Sequence, residues 1–330
     1  MDFNDYSVRR SEPASTFAAM DLSVVICTHN RATKLTSALE HLQSLVAPGD
    51  ISWEIVVVDN GSTDNTPAII AAVAARTGLP IRYVYEGHPG LGAARNAGTS
   101  ESTGEIIAFT DDDVFPAVDW LNAIVSEFRR DAELAGLGGR VELHNLLDYP
   151  VSIRTRTDRF QLSGTGDLMW GIPGCNMAFR RKALLAVGGF DPDFGAGAML
   201  QSAEDMEFIF RALKHGLKLV YCPNVLASHD HGRRTQAQVD ALFKSYVVGR
   251  GAMYAKHILN LDKSMLRMAY WEMRGTIGAA LQDIARLRLP RRSVALMYFL
   301  FMGAMLFART LATRGLGRLA RRTALSCLVV

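Results

Sequence analysis

Between Leu22 and Asp113 the chain repeats one pattern: a short run of apolar, largely β-branched residues, then a polar cluster, then a helical segment. Leu22 to Cys27 is such a run, followed by the polar Thr28-His29-Asn30-Arg31 and by Leu35, Leu39, Leu42 and Leu45 at helical spacing. Glu54 to Val58 is a second run, apolar enough to be buried on both faces of a parallel sheet, and it ends at Asp59-Asn60-Gly61-Ser62-Thr63-Asp64. Pro67 fits the first turn of the next helix, which reaches about Arg76. Ile81 to Glu86 predicts a third strand, Gly90 to Gly98 opens another helix, and Ile106 to Thr110 predicts a fourth strand. Alternation of this kind predicts an α/β domain whose sheet is mostly parallel and flanked by helices. Its ligands should gather at the carboxyl ends of the strands. Thr28, Asp59 and Asp111 stand at those ends.

The fourth strand runs directly into Asp111, Asp112 and Asp113. Adjacent carboxylates repel one another, and a cation or a set of hydrogen-bond donors at the strand end would relieve that cost. A solvated acidic turn accounts for the same residues, so the neighbouring motifs must decide.

Beyond Trp120 the alternation loosens. A helix to about Arg130 is followed by a Gly-rich stretch, Gly136 to Gly139, that leads into another strand, and residues 148–170 have the polar, irregular character of a mobile loop over a site. From about residue 238 the chain reads as helical. Residues 231–330 carry 17 Lys/Arg against 4 Asp/Glu, a net of +13, so that with an overall charge of +3 residues 1–230 carry −10. A basic, apolar region after an acidic one implies different partners for the two halves, anionic lipid or nucleic acid for the cationic one. Within it Ser293 to Ala308 has no charge over 16 residues and is bounded by Arg291, Arg292 and Arg309. As a helix it spans roughly 24 Å, short of a hydrocarbon core of about 30 Å, but able to lie in the interface, re-enter, or cross a thinned bilayer. Cys27, Cys175, Cys222 and Cys327 are scattered with no CxxC pair, which excludes a disulfide framework or a cysteine zinc site and fits a reducing compartment. Met1 to Met20 lacks the apolar core of a secretory signal and reads as a disordered lead-in.

Four motifs, Ser23 to Arg31, Val56 to Asp64, Gly92-Ala93-Ala94-Arg95-Asn96 and Asp111-Asp112-Asp113, stand in an order that closely resembles the family 2 glycosyltransferases of the GT-A fold, of the non-processive bacterial type. The resemblance covers about Leu22 to His229. It implies a catalytic domain over residues 21–235 and a helical, basic, membrane-associated region over 236–330. A nucleotide-sugar donor needs hydrogen-bond acceptors for base and ribose and a cation for the pyrophosphate. By the resemblance Asp59 accepts from the base, Thr28, Asn30 and Arg31 contact base and ribose, and Arg95 lies near the nucleotide. On the residues alone, Thr28 reads equally as a helix cap and Arg95 as the partner of a carboxylate.

The same resemblance gives Asp111 and Asp113 the ends of the family's acidic motif, Asp113 binding the divalent ion and Asp111 acting at the ribose or the metal, and turns Asp112 to the nucleotide side. Mg²⁺ or Mn²⁺ suits such hard ligands and would neutralise the departing diphosphate. Gly188-Gly189-Phe190-Asp191 followed by Glu204-Asp205-Met206-Glu207 resembles the family's second signature, which makes Asp205 the base and Glu204 a supporting acid. Acids decorating a helix N-terminus are the plainer reading. Gly171 to Arg181 resembles the segment lining the donor-sugar and acceptor pocket, with Asn176 as a donor and acceptor of hydrogen bonds and Cys175 a small buried residue. His229 is implied as a further metal ligand after a short strand, Leu219 to Tyr221, with His231 its rival, while Arg233 and Arg234 are placed to steady a diphosphate.

The chain lacks the Gln-x-x-Arg-Trp signature and the several long apolar spans of processive synthases, so a single transfer is expected. The implied activity is inverting transfer of one sugar from a nucleotide diphosphate sugar, expected to be UDP-linked, to a lipid-linked or surface-glycan acceptor. The expected location is the cytoplasmic face of the cell membrane, reached through residues 291–330, with no nucleic acid as partner. Two other readings stay open: an inactive nucleotide-sugar-binding module, which intact Asp113 and Asp205 oppose, and a nucleotidyltransferase, which would want a phosphate-gripping glycine loop that Thr28-His29-Asn30-Arg31 is not.

Overall fold

The computed structural model describes residues 21–169 and 171–326, with side chains as far as residue 313. The expected disordered lead-in, residues 1–20, and the last four residues of the basic tail lie outside that range. Four parallel strands come first: β1 (Leu22–Thr28), β2 (Trp53–Asp59), β3 (Ile81–Tyr85) and β4 (Ile106–Asp111), in the order β3-β2-β1-β4. Between and after them lie α1 (Ala32–His41), α2 (Thr66–Thr77), α3 (Leu91–Glu101) and, following a short β5 (Val114–Pro116), α4 (Trp120–Arg130).

Every second residue of the parallel strands points to a different core. Val24, Ile26, Ile55 and Val57 pack beneath α1, α2 and α4 with Leu35, Ile70 and Trp120. Val25, Val56, Val58, Ile107 and Phe109 face the other side. β1, β2 and β4 are buried on both faces, which is why they read as nearly continuous apolar runs, whereas β3 at the edge is half-exposed.

The second half of the sheet is mixed. β6 (Leu134–Leu143), β7 (Phe160–Gln161), β8 (Asn176–Arg180) and β9 (Lys218–His229) complete the order β4-β8-β6-β9-β5, with β8 antiparallel to both neighbours and β9 parallel to β6. Two expectations are corrected here. Gly136 to Gly139 do not lead into the strand but form its centre, because Phe179 and Ile172 lie against the backbone where side chains would stand: a Cβ on Gly136 would come within 2.1 Å of Phe179. The strand expected over Leu219 to Tyr221 continues to His229, past a bulge at Pro223, where pairing jumps from Gly139 with Cys222 to Arg140 with Leu226.

Two helices on the far face, α5 (Arg181–Val187) and α6 (Glu204–Lys214), bury Phe208 against Phe179 and Phe190, which in turn meets Phe109. Then come α7 (Gln236–Leu259), α8 (Lys263–Ala285) and α9 (Arg291–Ser326). The charge-free window is only the first half of α9, since the arginines that bound it belong to the helix. Arg291–Thr313 has mean hydropathy 1.8 and spans about 34 Å, long and apolar enough to cross a membrane.

Candidate active site

The ends of β1, β2 and β4 converge, as parallel strands require. Thr28 Oγ1 donates to Asp112 Oδ2 at 2.7 Å, and Arg31, at the head of α1, forks between Asp112 Oδ1 at 2.7 Å and Asp113 Oδ2 at 2.5 Å. His229, brought from the far end of β9, places Nε2 3.2 Å from Asp113 Oδ1. The three acids therefore have different environments. Burial would raise the pKa of Asp113, but the hydrogen bond and charge of His229, with Arg31, hold it well below the usual carboxylate range. Burial pushes Asp112 up to about 7 against the pull of Arg31, and raises Asp111 against the pull of Arg95. Burial alone would lower the pKa of His229, yet its bond to Asp113 and the neighbouring Cys175 thiol push it up to about 11.

A second layer lies under the first. Arg95, on α3, is buried, with Nη1 2.8 Å from Glu204 Oε1, Nη2 donating to the Gly174 carbonyl at 3.0 Å, and Nη2 3.6 Å from Asp111 Oδ1. Asp205 sits in the first turn of α6, where the N–H groups of Gly174 and Met206 donate to its two oxygens at 3.0 and 2.7 Å. A Cβ on Gly174 would stand 2.6 Å from Asp205 Oδ2, so glycine is needed for this approach. The turn into α6 is strained, with Gln201 and Ala203 at φ of 67° and 71°. Burial and repulsion from Asp205 push Glu204 up to about 7, against the attraction of Arg95.

Several residues expected at the donor have partners within the fold. Asp59 is fully buried, and both its oxygens accept bonds, from Ser62 N–H at 2.8 Å and the Tyr83 hydroxyl at 3.1 Å. The Asn30 side chain turns to the loop after β2, accepting from Thr63 N–H at 2.7 Å, and ties the ends of β1 and β2 together. Asn176 is also corrected. It is fully buried and saturated, accepting from Trp120 Nε1 and donating to the carbonyls of Arg140 and Val225, each at 2.9 Å. It closes the β9 bulge. Arg95 is a buried strut, and Arg234 pairs with the buried Asp148 at 2.9 Å.

The expected three-ligand metal set is corrected as well. Among the described residues no three His, Cys, Asp or Glu side chains converge to hold an ion, because Arg95 draws the Asp111 carboxylate away from Asp113 and His229. Asp113 and His229 alone face each other. Two protein ligands suffice for a hard cation that takes its remaining oxygens from a bound diphosphate and water, so the pair fits such an ion.

The sequence profile of "Glycosyl transferase family 2" matches residues 23–188, about half of the chain, and that of "Glycosyl transferase family group 2" matches 106–326. The chain belongs to glycosyl transferase family 2. Like other members of this enzyme family it has the GT-A fold: a mannosyltransferase from Pyrobaculum calidifontis, in complex with GDP-Man and Mn2+, superposes with a TM-score of 0.55 at 21% identity over 88% of each chain. S. aureus TarS 1–349 in complex with UDP-GlcNAc superposes with a TM-score of 0.56 at 21% identity over 75% of this chain and 69% of that one. Among curated relatives, the pre-mycofactocin glycosyltransferase of Mycobacterium tuberculosis is 28% identical over 261 residues, 76% of this chain and 51% of that protein. The chain spans about half the length of that relative.

One cluster escaped the reading of this family 2 sequence. Glu207, on the same turn of α6 as Asp205, is fully buried and meets Arg211 at 2.8 Å, Lys256 Nζ at 2.5 Å and His257 Nε2 at 3.2 Å. Lys256 also reaches Asp191 at 2.7 Å. Glu207 and Asp191 stood in the quoted motifs, but Lys256 and His257 lie 49 and 50 residues beyond Glu207, where the local pattern is simply a basic helix.

Proposed function

We propose that this chain transfers a single sugar from a nucleotide diphosphate sugar, UDP-linked, to a lipid-linked or surface-glycan acceptor with inversion at the anomeric carbon. Residues 21–235 are the catalytic domain. Residues 236–330 hold it at the cytoplasmic face of the membrane. The observation that carries the reading is the meeting, at the strand ends, of Asp113 with Arg31 and His229, and of the α6 turn bearing Asp205 with the loop at Gly174. The solved relatives bound to GDP-Man and UDP-GlcNAc support a nucleotide-sugar donor, and the Mn2+ named with the first supports a divalent cation.

In this reading Arg31 releases Asp112 and Asp113 to the donor and turns its guanidinium to the diphosphate, a geometry it matches well. Thr28 and Asp59 shape the floor for base and ribose. Asp113 and His229 would hold a Mg²⁺ or Mn²⁺ ion, which when bound supplies positive charge to the departing diphosphate. Asp205 takes the proton of the acceptor hydroxyl as its oxygen attacks the anomeric carbon. The bond to the diphosphate oxygen breaks, and its electron pair leaves with the nucleotide. No side chain needs to act as nucleophile, which is why one displacement and inversion are proposed. Arg95 and Glu204 fix the α6 turn from below.

Transfer from a panel of nucleotide sugars tests this. Asp113→Asn and Asp205→Asn should each abolish transfer, and only Asp113→Asn should weaken metal-dependent UDP binding. Full turnover in Asp205→Asn would remove the base assignment.

A further inference from the structure

α8 carries an apolar stripe that nothing among the described residues covers. Leu266, Tyr270, Met273, Ile277, Leu281 and Ile284 recur at intervals of three and four residues, and each is exposed, between 36 and 62%. That spacing puts all six on one helical face. α9 repeats the feature with Val294, Tyr298, Phe301 and Met305, exposed between 53 and 65%. Leu287 and Leu289, in the connection, are exposed by 98 and 73%, so exposed apolar residues continue from one helix to the next. A soluble surface rarely presents so long a contiguous apolar patch without a partner.

Charge selects the partner. Residues 263–292 carry seven Lys/Arg and two Asp/Glu, and Arg267, Arg274, Arg286, Arg288, Arg291 and Arg292 are all exposed around the stripes. A second copy of this chain would bring the same cations against them and be repelled, whereas an anionic bilayer offers acyl chains to the stripes and headgroups to the arginines.

Packing selects the orientation. α9 lies so close to α7 that a Cβ on Gly303 would stand 2.0 Å from the Val248 carbonyl oxygen, and one on Gly251 2.2 Å from that of Leu300. α7 in turn rests on the catalytic half, where a Cβ on Gly249 would meet Ser202 Oγ at 2.2 Å, and it carries Arg250, paired with Glu272 at 2.7 Å, and the buried Lys256. A crossing α9 would have to abandon this contact or drag a charged helix into hydrocarbon.

We propose that α8 and the first half of α9 dock side-on into the interface of an anionic lipid bilayer, both helices lying in the headgroup plane. α9 is then not a span, although its length allows one. This deepens the membrane reading given above and rests on it for the location of the acceptor, but not for the transfer chemistry.

Flotation of the purified full-length protein with phosphatidylcholine vesicles, with and without phosphatidylglycerol, tests the proposal. Binding should require the anionic lipid, weaken with salt, and be reversed by alkaline carbonate. Ile277→Glu with Leu281→Glu should lower vesicle partitioning roughly tenfold or more, since each change removes an apolar anchor and adds a repelled charge. Arg286→Glu with Arg288→Glu, both at exposed sites, should do the same. Wild-type flotation of both double variants, carbonate-resistant binding, or a dimer in light scattering that Ile277→Glu with Leu281→Glu dissolves would each overturn it. Donor-sugar hydrolysis without vesicles, measured on the same preparations, separates the two readings. Flotation without any turnover would sink the transferase and leave the docking surface standing.

Discussion

Replacing Lys256 by Met removes the cation shared by Glu207 and Asp191 while keeping a side chain of similar length. Lys256 and Asp191 are largely buried and Glu207 is fully so, so little of the effect is lost to solvent screening. Removing one partner of a buried pair typically costs 3–5 kcal/mol, because the charge left behind is uncompensated. Here compensation is partial, since Arg211 donates to both oxygens of Glu207 and His257 lies 3.2 Å away. The expected loss is therefore at the low end, about 3 kcal/mol. For a chain of this size that is a fall in Tm of roughly 4–5 °C.

The sign with pH follows from Glu207. Burial would raise its pKa, but Lys256, followed by Arg211, holds it well below the ordinary 4.5. A lowered folded pKa contributes stability above 4.5 that is lost as pH falls through the folded value, so the gap between wild type and Lys256→Met should shrink below about pH 4.5. Urea unfolding of both proteins between pH 3 and 8 measures the gap. Because Glu207 and Asp205 share one turn of α6, kcat should fall more than KM rises. A gap under about 1 kcal/mol at pH 7, or one that does not change with acid, would refute the claim that this pair carries net stability.

Two further changes probe the α6 turn. Gly174→Ala drives a methyl against Asp205 Oδ2 and to 3.2 Å from Arg95 Nη2, and should lower kcat by roughly a hundredfold with little change in donor affinity; unchanged kcat would mean that Asp205 does not work from this position. Glu204→Gln tests the raised pKa of that acid. The folded state holds this proton more tightly, so its contribution is complete below 4.5 and lost as pH rises through about 7. The variant should flatten the decline in stability across that window, and an identical slope would show that Glu204 does not titrate there.

What the sequence made legible follows from how local each cause is. β1, β2 and β4 are readable because each is buried on both faces, so nearly every residue of the run must be apolar, Ser23 and Glu54 being buried together through a hydrogen bond. Their polar ends follow, and with them the meeting of Thr28, Asp59 and Asp111. The glycines of β6 are a different case. They look like a loop until Phe179, some 40 residues on, is known to lie where their side chains would be, and no pattern within the run carries that information. Asn176 is expected at the pocket through the family segment in which it stands. Only the Pro223 bulge in β9, which leaves the Val225 carbonyl free to accept, shows that its amide is committed to the sheet. The metal set fails for a related reason. The family resemblance puts Asp111 and Asp113 together at a strand end, but the Asp111 carboxylate pairs with Arg95 from α3. The same rule accounts for Lys256. A buried charge is identified by its partners, and when those lie on another helix the sequence records a cation and nothing about what it holds.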